Sequence, residues 1–143
     1  MKIADLAGQR VALWGWGREG RAAYTALRAR LPEQALTLFC SEAEAADAAA
    51  SHDPLLVIEH AATGERLGAF DVVVKSPGIS PNKPEALEAA SRGTRFIGGT
   101  ALWFGERADA AGDVANAICI TGTKGKSTTS SLLAHLLRAS GLR

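Results

Sequence analysis

Apolar residues come in short runs, and the stretches between them carry either turn residues or helical spacing. Val11-Ala12-Leu13-Trp14 is an apolar run that ends at Gly15, and beyond Gly20 the residues Ala23, Leu27 and Leu31 fall on one helical face. This pattern predicts strand, tight turn and helix. Pro32 stops the helix, Leu36 to Cys40 reads as a second strand, and Glu42 to Ala50 as an alanine-rich helix with acidic residues in its first turn. Leu55 to Ile58 predicts a third strand and Phe70 to Val74 a fourth, almost continuously apolar. The fourth runs into Ser76-Pro77-Gly78-Ile79-Ser80-Pro81, which cannot continue regular structure. Pro84 suits the first turn of a helix through about Ser91, which Gly93 ends. Arg95 to Ile97 then reads as a fifth strand, followed by a helix from Thr100 to about Arg107.

Strand and helix alternate throughout, which predicts an α/β fold, a Rossmann-like parallel sheet with helices on both faces. In such sheets ligands sit beyond the carboxyl ends of the strands, where the loops after the first and fourth strands fall. Asp109-Ala110-Ala111-Gly112-Asp113 is small and polar and reads as a linker, dividing the chain into domains at 1–112 and 113–143. After it, Ala117 to Thr121 predicts a strand, and Leu132, Leu133, Leu136 and Leu137 mark the apolar face of a helix. One strand and one helix cannot bury a core. Residues 113–143 therefore read as the first βα unit of a truncated domain, and unless the leucine face packs on the first domain, self-association or disorder near the carboxyl end is expected.

Composition narrows the partners. With 47% hydrophobic residues, 22% charged residues and a formal net charge of +1 over 143 residues, the chain has no strong field for nucleic acid or membrane, and no stretch approaches a membrane span. A cytoplasmic location is expected. Cys40 and Cys119 form no CxxC and suggest free thiols in or beside buried strands. His52, His60 and His135 have no ligand-like spacing, so no metal site or general base is assigned to them. Arg28 and Arg30 read as a solvated helix face, and Trp14 and Trp103 as core.

The sharpest chemistry lies at Thr121-Gly122-Thr123-Lys124-Gly125-Lys126-Ser127-Thr128. Phosphate oxygens need converging donors, and a glycine-rich turn entering a helix supplies backbone N–H groups and the positive end of a helix dipole. Gly122 and Gly125 permit close approach, Lys126 reaches the β- and γ-phosphates, Ser127 suits a Mg²⁺ ligand, Thr128 adds a hydrogen bond and Lys124 a second cation. The pattern is G-x-x-G-K-S-T; Ile120 stands where the general phosphate loop has its first glycine. A phosphate loop for ATP is expected here.

Gly15-Trp16-Gly17-Arg18-Glu19-Gly20 satisfies G-x-G-x-x-G between strand and helix, which suggests a dinucleotide site. The acidic residue that would hold ribose hydroxyls is missing, because its position is Cys40, with Ser41 and Glu42 after it. Glycines serving only a tight turn and helix packing are the plain alternative. Ser76-Pro77-Gly78 offers donors without bulk, although Pro-Gly is also common turn chemistry, and Lys75 adds charge beside it.

The three stretches at 121–128, 76–79 and 15–20 together resemble the Mur ligases of bacterial peptidoglycan synthesis, and the resemblance runs along the whole chain. It implies that 1–112 binds the UDP part of UDP-N-acetylmuramoyl-L-alanine and that 113–143 opens an ATPase domain, with ATP and Mg²⁺ as cofactors. It implies substrate contacts at Gly15, Gly17, Arg18, Ser41, Glu42, Ser76, Pro77 and Gly78; Trp16, a side chain inside the glycine loop, is open to either core packing or a place beside the uridine. Cys40 departs from the family pattern, which is acidic there. Lys126 and Ser127 are the implied catalytic residues and Ser127 the implied Mg²⁺ ligand. They would act on an acyl phosphate route in which a substrate carboxylate is phosphorylated and then attacked by the amine of glutamate. The wording of the first loop and the phosphate loop is nearest to members that add L-glutamate; D-glutamate is the other possibility. The 143 residues by themselves are expected to make no product. Two other readings stand on the residues: a UDP-sugar-binding module without catalysis, and an NAD-dependent oxidoreductase domain.

Overall fold

A computed structural model describes residues 1–142, which form two compact units, Met1–Asp113 and a second from Val114 onward. The first is built on five parallel strands, β1 (Val11–Trp14), β2 (Leu36–Phe39), β3 (Leu56–Glu59), β4 (Val72–Lys75) and β5 (Arg95–Gly98), in the order β3-β2-β1-β4-β5. Val11 lies opposite both Leu36 and Val72, so the central strands start level and deliver their loops at one edge. All four residues of β1 are buried, as expected of a central strand covered on both faces.

Side chains alternate across the sheet and sort the helices by face. Val11, Leu13, Leu36, Leu38, Val72 and Val74 pack on one side with Ala23 and Leu27 of α1 (Arg18–Arg30), Ala48 of α2 (Glu42–Ala49) and Leu102 of a later helix, Gly99–Arg107. Ala12, Trp14, Phe39 and Val73 pack on the other with Leu67 of α3 (Gly64–Leu67) and with Ala86 and Ala89 of α4 (Pro84–Ser91). The later helix, α5, completes the first layer. Leu13, Leu27, Leu36, Leu38 and Leu67 are fully buried, each contributing about 1.5–3 kcal/mol relative to exposure. Thr94 is the buried polar side chain, and its hydroxyl donates between the carbonyls of Leu67 and Phe70 at 3.2 and 2.8 Å.

Several sequence expectations shift. The fourth strand starts at Val72 because Phe70 closes the turn after α3, its N–H donating to the Leu67 carbonyl at 3.1 Å. Two short elements carry too few residues to show a period: a 3-10 turn at Ile3–Leu6, and α3, whose Thr63 hydroxyl caps the Arg66 N–H at 3.2 Å. Trp103 is not core: it is 45% exposed, and the Arg107 guanidinium lies 4.6 Å from its ring centroid. Arg28 is not a solvated charge. It pairs with Asp53 at 2.7 Å and donates to the carbonyls of Leu31, Pro32 and Gln34, closing the carboxyl end of α1. Arg30 pairs with Glu106. Cys40 is buried, whereas Cys119 is exposed.

Arg10 and Asp71 join the starts of β1 and β4. The Arg10 guanidinium donates to Asp71 at 2.7 Å and its backbone N–H does so at 2.8 Å, which holds the carboxyl down at about 2 against its usual 3.8. A carboxyl whose folded value is depressed stabilises the fold above its unfolded value and loses that contribution as pH falls. The window here runs from about 4 down to about 2. Asp71→Asn should therefore flatten the acid limb of a melting-temperature profile in that window; an unchanged profile would remove Asp71 from it.

In the second unit α6 (Lys126–Ala139) is the regular element. Ala117 to Thr121 is not a strand as expected: a strand needs a hydrogen-bonded neighbour, and no segment among the described residues pairs with it. Ile118, Ile120, Leu133 and Leu137 instead line a shallow cavity along α6, while Leu132 and Leu136 are 58% and 54% exposed. No helix among the described residues is long and apolar enough to cross a membrane.

Candidate functional site

The sheet order reverses at β1. From it the chain moves outward through β2 to β3, then returns to the other side of β1 for β4 and β5, which leaves a crevice beyond the carboxyl ends of β1 and β4. A cavity of about 610 Å³ opens there, lined by Gly15, Gly17, Arg18, Ser76, Pro77 and Gly78 together with Glu19, Glu44 and Ile79. Six of the eight sequence-predicted substrate residues thus meet in one cleft. A smaller groove of about 280 Å³ between α1 and α5 is lined almost wholly by carbon and shares Glu19 with the cleft.

The glycines of the loop have separate jobs. Gly15 has φ +94°, and a Cβ there would stand 2.8 Å from the Ser76 hydroxyl oxygen. A Cβ on Gly20 would stand 2.1 Å from the Gly15 carbonyl oxygen. Those two are required by the turn and by packing. Gly17 is required by neither, because its φ of −66° suits any residue and nothing lies within 4 Å of its Cβ position. Gly78, across the cleft, also faces open space. The third possibility for such glycines is room for a ligand to approach backbone.

Donors converge on that room. Gly17 caps α1 with no side-chain hydrogen bond, so the first N–H groups of the helix have no capping partner, with the positive end of its dipole behind them. Arg18 adds a cation at the first helical position. Ser76 donates its backbone N–H to the Trp14 carbonyl at 2.8 Å, while its hydroxyl is shielded from solvent without a protein partner. Lys75 does not reach the cleft lining; its amine ties the loop by donating to the Ile79 carbonyl at 2.9 Å.

Ser41 and Glu42 do not line the cavity. Ser41 donates both its N–H and its hydroxyl to Glu44, at 3.1 and 2.9 Å, at the start of α2, and Glu42 is exposed. The residue that does line it is Glu44, which sequence reasoning missed, although Ser41-x-x-Glu44 has the spacing of a capping box. Its carboxyl is held below the usual range, first by the Ser41 N–H and also by the Ser41 hydroxyl, the Trp16 N–H and Arg21, so it is ionised at neutral pH. Trp16 is 5% exposed rather than flanking the cleft. Its indole N–H donates to Asp47 at 2.8 Å, and its ring packs on Tyr24 at 5.2 Å between centroids. Burial, and then the charge of Glu44, push the Cys40 thiol up, leaving it neutral.

In the second unit, residues 121–128 form an exposed turn into α6. Gly122 and Gly125 take φ of +151° and +79°, both in the region that favours glycine, and Gly125 caps the helix without a side-chain hydrogen bond. Lys126 folds back so that its amine donates to the Gly122 carbonyl at 2.6 Å. All fifteen acidic residues of the chain precede Val114, so this loop stands in a purely cationic segment. Its donor set suits anionic oxygen. For Mg²⁺ it offers hydroxyls, among them that of Ser127, and no carboxylate, a set that fits the ion only when phosphate oxygens and water complete the shell. Among the described residues no three His, Cys, Asp or Glu side chains gather as a metal site.

No protein-family model matches the chain. A protein of Xanthomonas euvesicatoria pv. vesicatoria named UDP-N-acetylmuramoyl-L-alanine–L-glutamate ligase is 64% identical over 143 residues, covering 100% of this chain and 31% of that protein. One of the same name from Xylella fastidiosa is 62% identical over 141 residues, 99% of this chain and 30% of that protein. One from Micromonospora is 40% identical over 143 residues, with 97% and 30% covered. The chain thus spans about 31% of the length of these relatives, at their amino-terminal side. With a five-stranded parallel sheet of the expected kind and identity of this order along its whole length, the chain belongs to the Mur ligases, as a homologue of the amino-terminal part of their UDP-N-acetylmuramoyl-L-alanine–L-glutamate ligases.

Proposed function

We propose that the cleft beyond β1 and β4 holds the UDP part of UDP-N-acetylmuramoyl-L-alanine, that the loop at 121–128 holds the phosphates of ATP, and that the two serve ATP-dependent addition of L-glutamate. The observation that carries the first part is Gly17. It is a glycine required neither by its backbone angle nor by its neighbours, at the uncapped start of a 13-residue helix, lining the same cleft as Gly78. A diphosphate fills that description: it needs N–H donors and a cation such as Arg18, and it needs backbone without side chains. Residues 1–112 then form the substrate domain and 113–143 supply an element of the ATP site.

In that site Gly122, Thr123, Lys124 and Gly125 present backbone to the phosphates, and Thr128 adds a hydroxyl. Lys126 exchanges its contact with the Gly122 carbonyl for phosphate oxygens. Charge accumulates on the transferring phosphoryl group, so the ammonium of Lys126 stabilises it electrostatically. Ser127 is placed to ligate a Mg²⁺ ion, which when bound neutralises phosphate charge. The name shared by the relatives favours L-glutamate as the amine.

Calorimetry on the 143-residue chain tests this. UDP should bind in preference to NAD, as expected of a chain 64% identical to a ligase named for a UDP-linked substrate. ATP with Mg²⁺ should bind more weakly than UDP, the exposed loop offering one side of a pocket. NAD binding in preference to UDP would replace the ligase reading with an oxidoreductase one. UDP binding with no response to ATP would leave a UDP-sugar-binding module.

A further inference from the structure

The cleft is lined by two acidic side chains, Glu19 and Glu44, that a diphosphate does not call for, and Glu44 is the one held by hydrogen bonds to the loop and helix start around it. Glu44 lines the cavity alongside Gly15, Gly17 and Arg18, and an acid beside an anionic ligand is unfavourable unless it meets a different part of that ligand. Its two oxygens are unequally used. Oε2 accepts both the N–H and the hydroxyl of Ser41, at 3.1 and 2.9 Å, and is saturated. Oε1 accepts only the Trp16 N–H, at a long 3.3 Å, which leaves acceptor capacity on a side chain that lines the cleft.

A nucleotide adjoining its diphosphate at the start of α1 has ribose hydroxyls as its nearest neutral donors. In parallel sheets of this order an acid at the end of the second strand takes them, and here that position is Cys40, buried and without charge. Glu44 sits in the first turn of the helix that follows the same strand and is fixed in place by Ser41, so it can supply a carboxylate that the strand end lacks. We propose that Glu44 reads the sugar of the nucleotide in this cleft by accepting a hydrogen bond from a ribose hydroxyl. The inference rests on the cleft being the UDP site, and it makes Glu44 a specificity residue for a ribonucleotide there.

Three probes separate the outcomes: UDP, a UDP analogue lacking both ribose hydroxyls, and inorganic pyrophosphate, each titrated into the wild-type chain and into Glu44→Ala, with melting temperatures recorded. A hydrogen bond to a charged acceptor predicts that wild type prefers UDP to the dideoxy analogue by about tenfold or more, and that Glu44→Ala abolishes the preference. Pyrophosphate should bind both proteins within about twofold. Equal affinity of wild type for UDP and the analogue overturns the proposal whether or not the variant folds. Equal weakening of UDP and pyrophosphate by Glu44→Ala also overturns it, because Glu44 would then only hold the Trp16 loop. Absence of any UDP or pyrophosphate binding to wild type removes the UDP reading of the cleft and this inference with it.

Discussion

Gly20→Ala should unfold or severely destabilise the amino-terminal unit. The added methyl group would stand 2.1 Å from the Gly15 carbonyl oxygen and 3.0 Å from its carbon, distances that no rotamer change relieves because both atoms belong to backbone. Relief means separating the first turn of α1 from the end of β1. The Gly15 N–H donates to the Phe39 carbonyl at 2.8 Å and the Ser76 N–H to the Trp14 carbonyl at 2.8 Å, so that movement strains the junction of three adjacent strands. Overpacking of this kind costs about 3 kcal/mol or more, a large share of the roughly 5–15 kcal/mol that holds a domain together. In thermal denaturation the midpoint should fall by more than about 10 °C. A midpoint within about 2 °C of wild type would mean that α1 can shift freely against β1, contrary to the packing described.

The strands were legible because this sheet is buried on both faces. Val11-Ala12-Leu13-Trp14 and Val72-Val73-Val74 are continuous apolar runs, and turn residues bound each of them. The cleft was legible for a related reason: its glycines and the Pro-Gly pair follow the two central strands. What the sequence concealed was decided by partners far along the chain. Trp16 was open to core or cleft from its place in the loop, and only Asp47, 31 positions on, turns its indole inward. Arg28 looked solvated until Asp53 and three carbonyls met it. Trp103 has helical, apolar neighbours, but its position on α5 points it outward beneath Arg107. Ser41 and Glu44 carried a local signal, the capping-box spacing. That spacing explains why Ser41 is occupied at the helix start while Glu44 lines the cleft.

Gly17→Asp should do the reverse of Gly20→Ala, keeping the fold and removing the ligand. Its backbone, φ −66° and ψ −173°, is ordinary for a residue that precedes a helix, and its Cβ direction is empty to 4 Å. Aspartate is among the preferred residues there, since its carboxylate accepts N–H groups of the first turn and complements the dipole. Selection for stability alone would favour it over glycine, by a few tenths of a kcal/mol. The same carboxylate would occupy the N–H groups proposed for the diphosphate and place a negative charge against it, so UDP affinity should fall by about a hundredfold or more. The expected result is a melting temperature equal to or slightly above that of wild type together with the loss of UDP binding. Retained UDP affinity in a folded Gly17→Asp protein would move the ligand away from the start of α1, and with it the argument that glycine stands there to let phosphate approach.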